Sequence, residues 1–301
     1  MSNERETAVD GGMLRTAVGA VLAVTLLAAG WGLLPEIASR VAPALTYYPA
    51  GLPSSAADPA AHGLTRGEQL RITADDGPTL HAWWIPARPE EDGGGSRGAV
   101  LYFHGNAGHL AGRADIARRW SERGLDVLLF DYRGYGLSEG SPSEAGLYTD
   151  ARAAYRHLRR ERHVSARRIL LHGHSLGGAV AVELASERPV AGLIVSAGFS
   201  TLPSLASRLY AWLPDRAFRG WDRNRFDSES RIRHVDAPFL AVAGGRDEIV
   251  APAEVRRLYE AASEPKRWME VSGARHNDLL DRAPFWRAAE EFAERALGDV
   301  R

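Results

Sequence analysis

The sequence predicts an α/β protein, with a mostly parallel central sheet covered by helices on both faces. Two observations carry this. Short continuous apolar runs (AVLYFH, DVLLFDY, RILLHG, VAGLIVSA, FLAVAG) alternate with helix-length amphipathic stretches, the pattern left by strands that meet no water on either side. The chain has 301 residues, 45% apolar and 25% charged, enough for one large domain or two modest ones. Thirty-seven basic against thirty-eight acidic residues leave a net charge of −1. That balance excludes a strongly basic nucleic-acid surface and an acidic disordered chain. With no cysteine, disulfides, cysteine-ligated zinc, iron–sulfur centres and a thiol nucleophile are all excluded.

From the N-terminus, a tail over 1–15 precedes nineteen uncharged residues, Thr16 to Leu34. As a helix rising ~1.5 Å per residue this segment spans about 28 Å, close to the roughly 30 Å hydrocarbon core of a bilayer. It is long for a cleaved signal, and no clear cleavage site follows. The reading is a retained transmembrane anchor. Arg5 and Arg15 precede it and Arg40 follows, which favours a cytoplasmic N-terminus and an extracytoplasmic domain.

Residues 35–67, rich in Pro, Ala and Gly from Pro49 onward, read as a linker. EQLRIT and TLHAWWI form a leading strand pair about the turn Asp75 to Gly77. AVLYFH is a buried strand, His109 to Arg123 a helix, and DVLLFDY the next strand. Ser141, Pro142 and Glu144 open a helix as a capping box with proline at its first position. RILLHG leads into the helix LGGAVAVELASE, and VAGLIVSA, FLAVAG and WMEV follow, with helices from Pro252 and from about Asn277. The rhythm breaks between Phe199 and Asp236. That stretch carries Leu202, Leu205, Leu209, Tyr210, Trp212, Leu213, Phe218, Trp221 and Phe226, and a structureless loop of this length is uncommon inside a domain. It is expected to form a short cap over a pocket.

Gly-x-Ser-x-Gly occurs at Ser96, Ser138 and Ser175. Ser96 lies in a polar glycine loop. Ser138 follows its strand only after an intervening segment. Ser175 alone sits directly between an apolar strand and a helix, where a sharp turn lifts its hydroxyl above the sheet and flanking glycines admit neighbouring backbone. A serine hydroxyl needs a base, and in this arrangement an acid and then a histidine follow the nucleophile in the chain. Only His276 lies beyond FLAVAG. Asp247, in the loop after FLAVAG, is the expected acid, with Glu248 the near alternative. The backbone amides of Leu176 and Asn106 are expected to form the oxyanion hole. His104 precedes the serine and reads as structural support, and His172 and His174 as packing or loop residues.

The set HGNAG, DYRGYGLSEGSPSE, GHSLGG, GGRDEIV and RHND resembles the α/β-hydrolase superfamily over residues 68–298, with 199–236 as the cap insertion. Behind an N-terminal anchor it is similar to the membrane-anchored bud-emergence-related hydrolases, some of which are described as acyl-protein thioesterases or lipid hydrolases and others grouped with serine aminopeptidases. The resemblance implies Ser175 as nucleophile, Asp247 as acid and His276 as base. Arg275 stands where many relatives have glycine, an expected change of charge near the pocket mouth.

The expected activity is hydrolysis of carboxylic esters or thioesters through an acyl-enzyme, a chemistry that needs no metal or organic cofactor. A small-molecule or lipid-like acyl substrate, or an acylated protein, is the expected partner, alongside the membrane; nucleic acid is not. An aspartate-nucleophile relative is disfavoured because a serine occupies that position. A peptidase lacks a recognisable site for a free amino terminus. An acyltransferase on the same machinery and a non-catalytic membrane-tethered binding protein are the remaining alternatives. Oligomeric state is not legible.

Overall fold

The computed structural model describes residues 46–89, 95–212, 218 and 224–298. The expected anchor over 16–34 lies outside the described residues, as do Leu213 and Trp221 of the insertion. Among the described residues no helix is long and apolar enough to cross a membrane.

Eight strands form one sheet: β1 Glu68–Thr73, β2 Thr79–Ile85, β3 Ala99–Phe103, β4 Asp126–Phe130, β5 Ile169–His174, β6 Gly192–Ser196, β7 Phe239–Gly244 and β8 Lys266–Val271. Their spatial order is β8-β7-β6-β5-β3-β4-β2-β1. The β1–β2 hairpin is antiparallel, and β2 meets β4 antiparallel with Ala82 opposite Phe130. Every other neighbouring pair is parallel, as between β3 and β5, where Leu101 faces Leu171.

The helices are α1 Ala114–Ser121, α2 Glu144–Arg160, α3 Leu176–Glu187, α4 Leu202–Leu209, α5 Ser228–Ile232, α6 Pro252–Ala261 and α7 Ala283–Gly298. Side chains of successive strand residues point to opposite faces, and β3 shows the result. Ala99, Leu101 and Phe103 join the apolar layer under α2, α3 and α6, while Val100 and Tyr102 join the layer under α1 and α7, which holds Trp120 and Trp286. Both faces of the central strands are therefore dry, while the edge strand β1 stays largely exposed.

Three boundaries differ from expectation. The cap of α2 is Ser143, whose hydroxyl accepts from the Gly146 amide, so the helix begins two residues beyond the expected Ser141 box. With Ser143 as the cap, Glu144 is the first helical residue and not the third that a capping box needs, and its Oε1 instead accepts from Tyr148 Oη and the Phe226 amide. The last helix starts at Ala283, after a single 3₁₀ turn over Leu279–Asp281. Pro284 accounts for this, since proline has no N–H and is tolerated only in a helix's first turn. The stretch read as a linker also differs in part. Tyr47, Leu52, Ala57 and Leu64 are buried, and Tyr48–Pro49 pairs in parallel with Ala107–Gly108.

The order reverses at β3. From it the chain goes first to β4 on one side and then to β5 on the other. Such a switch point opens a crevice at the carboxyl ends of the strands, the usual ligand position in an open α/β sheet.

Candidate active site

Ser175 stands between the end of β5 and the start of α3, at φ 54° and ψ −120°. This left-handed backbone is unfavourable for any residue with a Cβ. It is held by the Ser175 amide donating to Ser196 O at 2.9 Å and by the Gly178 amide donating to Ser175 O at 2.9 Å. The flanking glycines are required by space. A Cβ on Gly173 would lie 2.3 Å from Gly177 O, and one on Gly177 would lie 2.1 Å from Phe103 O. Only this glycine pair lets α3 cross so close to β3 and β5.

Two late loops carry the partners and are stitched to one another. Gly245 N donates to Val271 O at 2.9 Å and Arg246 N to Ala274 O at 2.8 Å. Asp247, in the loop after β7, accepts from the Ile249 and Val250 amides at 2.9 and 2.7 Å through Oδ1. Its Oδ2 lies 2.8 Å from His276 Nδ1, and His276 Nε2 lies 3.1 Å from Ser175 Oγ. An ionised carboxylate can only accept, so Nδ1 carries the proton and Nε2 turns its lone pair to the serine. All three residues are buried. The alternative acid Glu248 is exposed.

The rival serines are occupied elsewhere. Ser138 Oγ accepts from His81 N and donates to Asp131 O, both at 2.8 Å, and Ser96 Oγ donates to Gly98 O. Neither has an imidazole in reach of its hydroxyl among the described residues.

Leu176 is the first residue of α3, so its amide has no intrahelical acceptor and sits at the positive end of the helix dipole. Asn106 lies in the loop after β3. Its carbonyl accepts from Tyr48 N at 3.0 Å and Tyr135 Oη at 2.9 Å, and its Nδ2 donates to Thr46 O. With both those groups engaged, its backbone N–H makes no hydrogen bond among the described residues.

The histidines that precede these groups are held as supports. His104 is buried, with Nδ1 2.7 Å from Gly105 O and Nε2 3.5 Å from Asp131 Oδ1. Burial pushes the Asp131 carboxyl up, but the facing imidazoles of His104 and His81 and the Leu110 amide outweigh it and hold the group below its usual range. His172 accepts from Trp120 Nε1 at 3.1 Å, and complete burial lowers its pKa to about 3. His174 Nδ1 lies 3.1 Å from Ser196 Oγ; burial first, then the nearby His276 and Arg113, push it well below the ordinary histidine value. Both therefore stay neutral beside the site.

A cavity of about 300 Å³ opens over Ser175. Phe199, Leu202, Leu205, Leu209 and Ile249 give it an apolar wall, and Thr46 and Asn106 line it as well. The helix α4 that supplies most of this wall is fixed by the buried Glu254, which accepts from Ser200 Oγ at 2.6 Å and Ser204 Oγ at 2.9 Å. Sequence reasoning missed Glu254, Thr46 and Arg113, the last a cation on the cavity lining. Arg275, expected near the mouth, is exposed and is not on that lining.

A family described as serine aminopeptidase, S33, matches residues 94–236. The alpha/beta hydrolase domain-containing protein WAV2 of Arabidopsis thaliana is 32% identical over 254 residues, 78% of this chain and 80% of that protein. The chain belongs to the α/β-hydrolase family. Within the family it is 31% identical to protein bem46 of Schizosaccharomyces pombe over 278 residues, 91% of this chain and 90% of that one. An uncharacterized protein of Mycobacterium tuberculosis (strain H37Rv) is 43% identical over 239 residues, 79% of this chain and 82% of its own. Among solved structures, an esterase of Pyrococcus furiosus superposes with a TM-score of 0.66 at 21% identity, over 84% of this chain and 98% of that one. At that identity the likeness concerns the α/β-hydrolase fold alone.

Proposed function

We propose that this α/β-hydrolase is a membrane-anchored serine hydrolase that cleaves ester or thioester bonds of lipophilic acyl substrates. One observation carries the reading: the hydrogen-bonded line Asp247–His276–Ser175 ends in an apolar-walled cavity. In the proposed mechanism His276 Nε2 takes the Ser175 proton as Oγ bonds to the substrate carbonyl carbon. Asp247 orients the ring and stabilises the imidazolium. The developing oxyanion is held by the Leu176 and Asn106 amides, donors fixed in place by the backbone before the charge forms. Collapse expels the alcohol or thiol, which leaves with the proton from His276. Water then attacks the acyl-enzyme, with His276 again as the base, releasing the acid and restoring Ser175.

The cavity lining favours this reading over aminopeptidase chemistry. Recognition of a free amino terminus calls for a carboxylate, and among the described residues none lines the cavity. The anchor rests on the nineteen uncharged residues from Thr16 to Leu34, and the cap on the placement of α4 against the cavity. Eleven residues separate Leu34 from residue 46 on the lining, a tether of at most about 40 Å that would keep the cavity near the bilayer surface.

The test is covalent labelling by a fluorophosphonate. Labelling is expected in wild type and Ser138→Ala, and is expected to vanish in folded Ser175→Ala and His276→Ala. Loss in Ser138→Ala with retention in Ser175→Ala would reject the assignment. A chain-length series of nitrophenyl esters should then favour octanoyl over acetyl; a sharp acetyl preference would reject a lipophilic substrate.

A further inference from the structure

The cavity over Ser175 contains an arginine that the proposed acyl transfer does not use. Arg113 precedes α1 and is partly buried on the cavity lining. One arm donates to Ala107 O at 3.2 Å and another approaches its neighbour Gly112 O at 3.4 Å. Both acceptors are carbonyls. The nearest acid in sequence, Asp115, pairs with Arg118, and Asp131 is turned to the Leu110 amide. Among the described residues Arg113 has no carboxylate partner, and no carboxylate lines the cavity it faces.

A guanidinium carries five donors in a planar fork that matches a carboxylate or phosphate, and it is weakly hydrated, so partial burial costs it little. Here each terminal nitrogen engages one carbonyl, which leaves three of the five N–H groups without an acceptor among the described residues. The bond from Arg113 to Ala107 O ties it to the loop that also carries Asn106, whose backbone amide is the proposed oxyanion donor. We infer that Arg113 is a specificity-determining residue for acyl substrates that carry an anionic group, a carboxylate or a phosphate, close to the scissile bond. The proposal rests on the serine-hydrolase reading. It describes an amphiphile whose apolar part packs on α4 and whose charge is held by Arg113.

The experiment uses the full chain in neutral detergent and three fluorophosphonates with the same alkyl chain, each carrying a methyl, a carboxylate or a phosphate on a short arm beside the reactive phosphorus. The quantity read is the labelling rate of each anionic probe relative to the methyl probe. In Arg113→Gln this ratio is expected to fall by about tenfold or more, the size of a lost charge-assisted hydrogen bond, through weaker reversible binding of the probe. Arg113→Lys should recover part of it as a point charge. A larger effect on the phosphate probe would identify a lipid headgroup, and on the carboxylate probe an acid-bearing acyl group. If Arg113→Gln slows all three probes equally, Arg113 only positions the Asn106 loop and the proposal is overturned. A folded wild type that none of the three probes labels would instead bring down the hydrolase reading itself.

Discussion

The backbone of Ser175 makes a stability prediction that is independent of any substrate. At φ 54° and ψ −120° a residue with a Cβ costs about 1–3 kcal/mol of strain. Glycine adopts this region freely, but it loses about 0.5–1 kcal/mol relative to alanine through the greater freedom of its unfolded chain. Ser175→Ala and Ser175→Gly both remove the hydroxyl that lies 3.1 Å from His276 Nε2, so the difference between them isolates the backbone. Strain less entropy leaves the glycine variant more stable than the alanine variant by about 0.5–2 kcal/mol. For a domain of this size that is a rise in midpoint of roughly 1–8 °C. Urea unfolding followed by tryptophan fluorescence would measure it, with equal m-values as the check that only stability has changed. A glycine variant less stable than the alanine variant by the ordinary penalty would mean that the turn stores no strain, and the argument from its geometry would fail.

Asp247→Asn should keep the fold but lower turnover by on the order of ten-thousand-fold, because an amide no longer fixes the imidazole tautomer; steady-state kinetics on a nitrophenyl ester checks it, and a change confined to KM would contradict it. His172 supplies a pH dependence. Its folded pKa of about 3 lies below the unfolded value, so unfolding takes up a proton between the two. Its contribution is complete above about pH 6.5 and drains away at about 1.4 kcal/mol per pH unit as pH falls toward the folded value. His172→Gln, which keeps an acceptor for Trp120 Nε1, should flatten the stability profile of wild type between pH 6.5 and 5, and an unchanged slope would count against a neutral buried ring. Glu254→Ala strands the hydroxyls of Ser200 and Ser204 and should cost about 1.5–3 kcal/mol. Because α4 walls the cavity, hydrolysis of octanoyl esters should suffer more than that of acetyl esters; equal losses would separate α4 from acyl recognition.

What was legible in the sequence is what local physics determines. FLAVAG became β7 over the same residues, Phe239–Gly244, because a strand dry on both faces is a continuous apolar run bounded by glycine or polar residues. The turn at Ser175 was legible for a related reason. Gly173 and Gly177 are demanded by backbone contacts of 2.3 and 2.1 Å, and those contacts come from a strand and a helix that the same sequence already indicates. The order of elements then left His276 and Asp247 with few competitors. The errors at Ser143 and Ala283 were local too: a cap at Ser143 leaves Glu144 out of position for a capping box, and Pro284 barred an earlier helix start.

The groups that were missed act across long stretches of chain. Glu254 reads as one acid in the first turn of an amphipathic helix, and only the fold brings it to Ser200 and Ser204, fifty residues earlier. Thr46 sits in a stretch whose composition says linker, yet the pairing of the nearby Tyr48 with Ala107 carries it to the cavity wall. Arg113 is the hardest case. In a chain with thirty-seven basic residues, neither its identity nor its spacing marks it out. Its distinction lies in the acids that are not beside it: Asp115 taken by Arg118, Asp131 turned inward, and no carboxylate on the described lining of the cavity. An unpaired charge is a property of its surroundings in three dimensions, so it becomes readable only once every competing partner has been located. A partly buried guanidinium with open donors, lining the same cavity as Ser175, offers an incoming anion a permanent positive charge that no other described residue of this lining supplies.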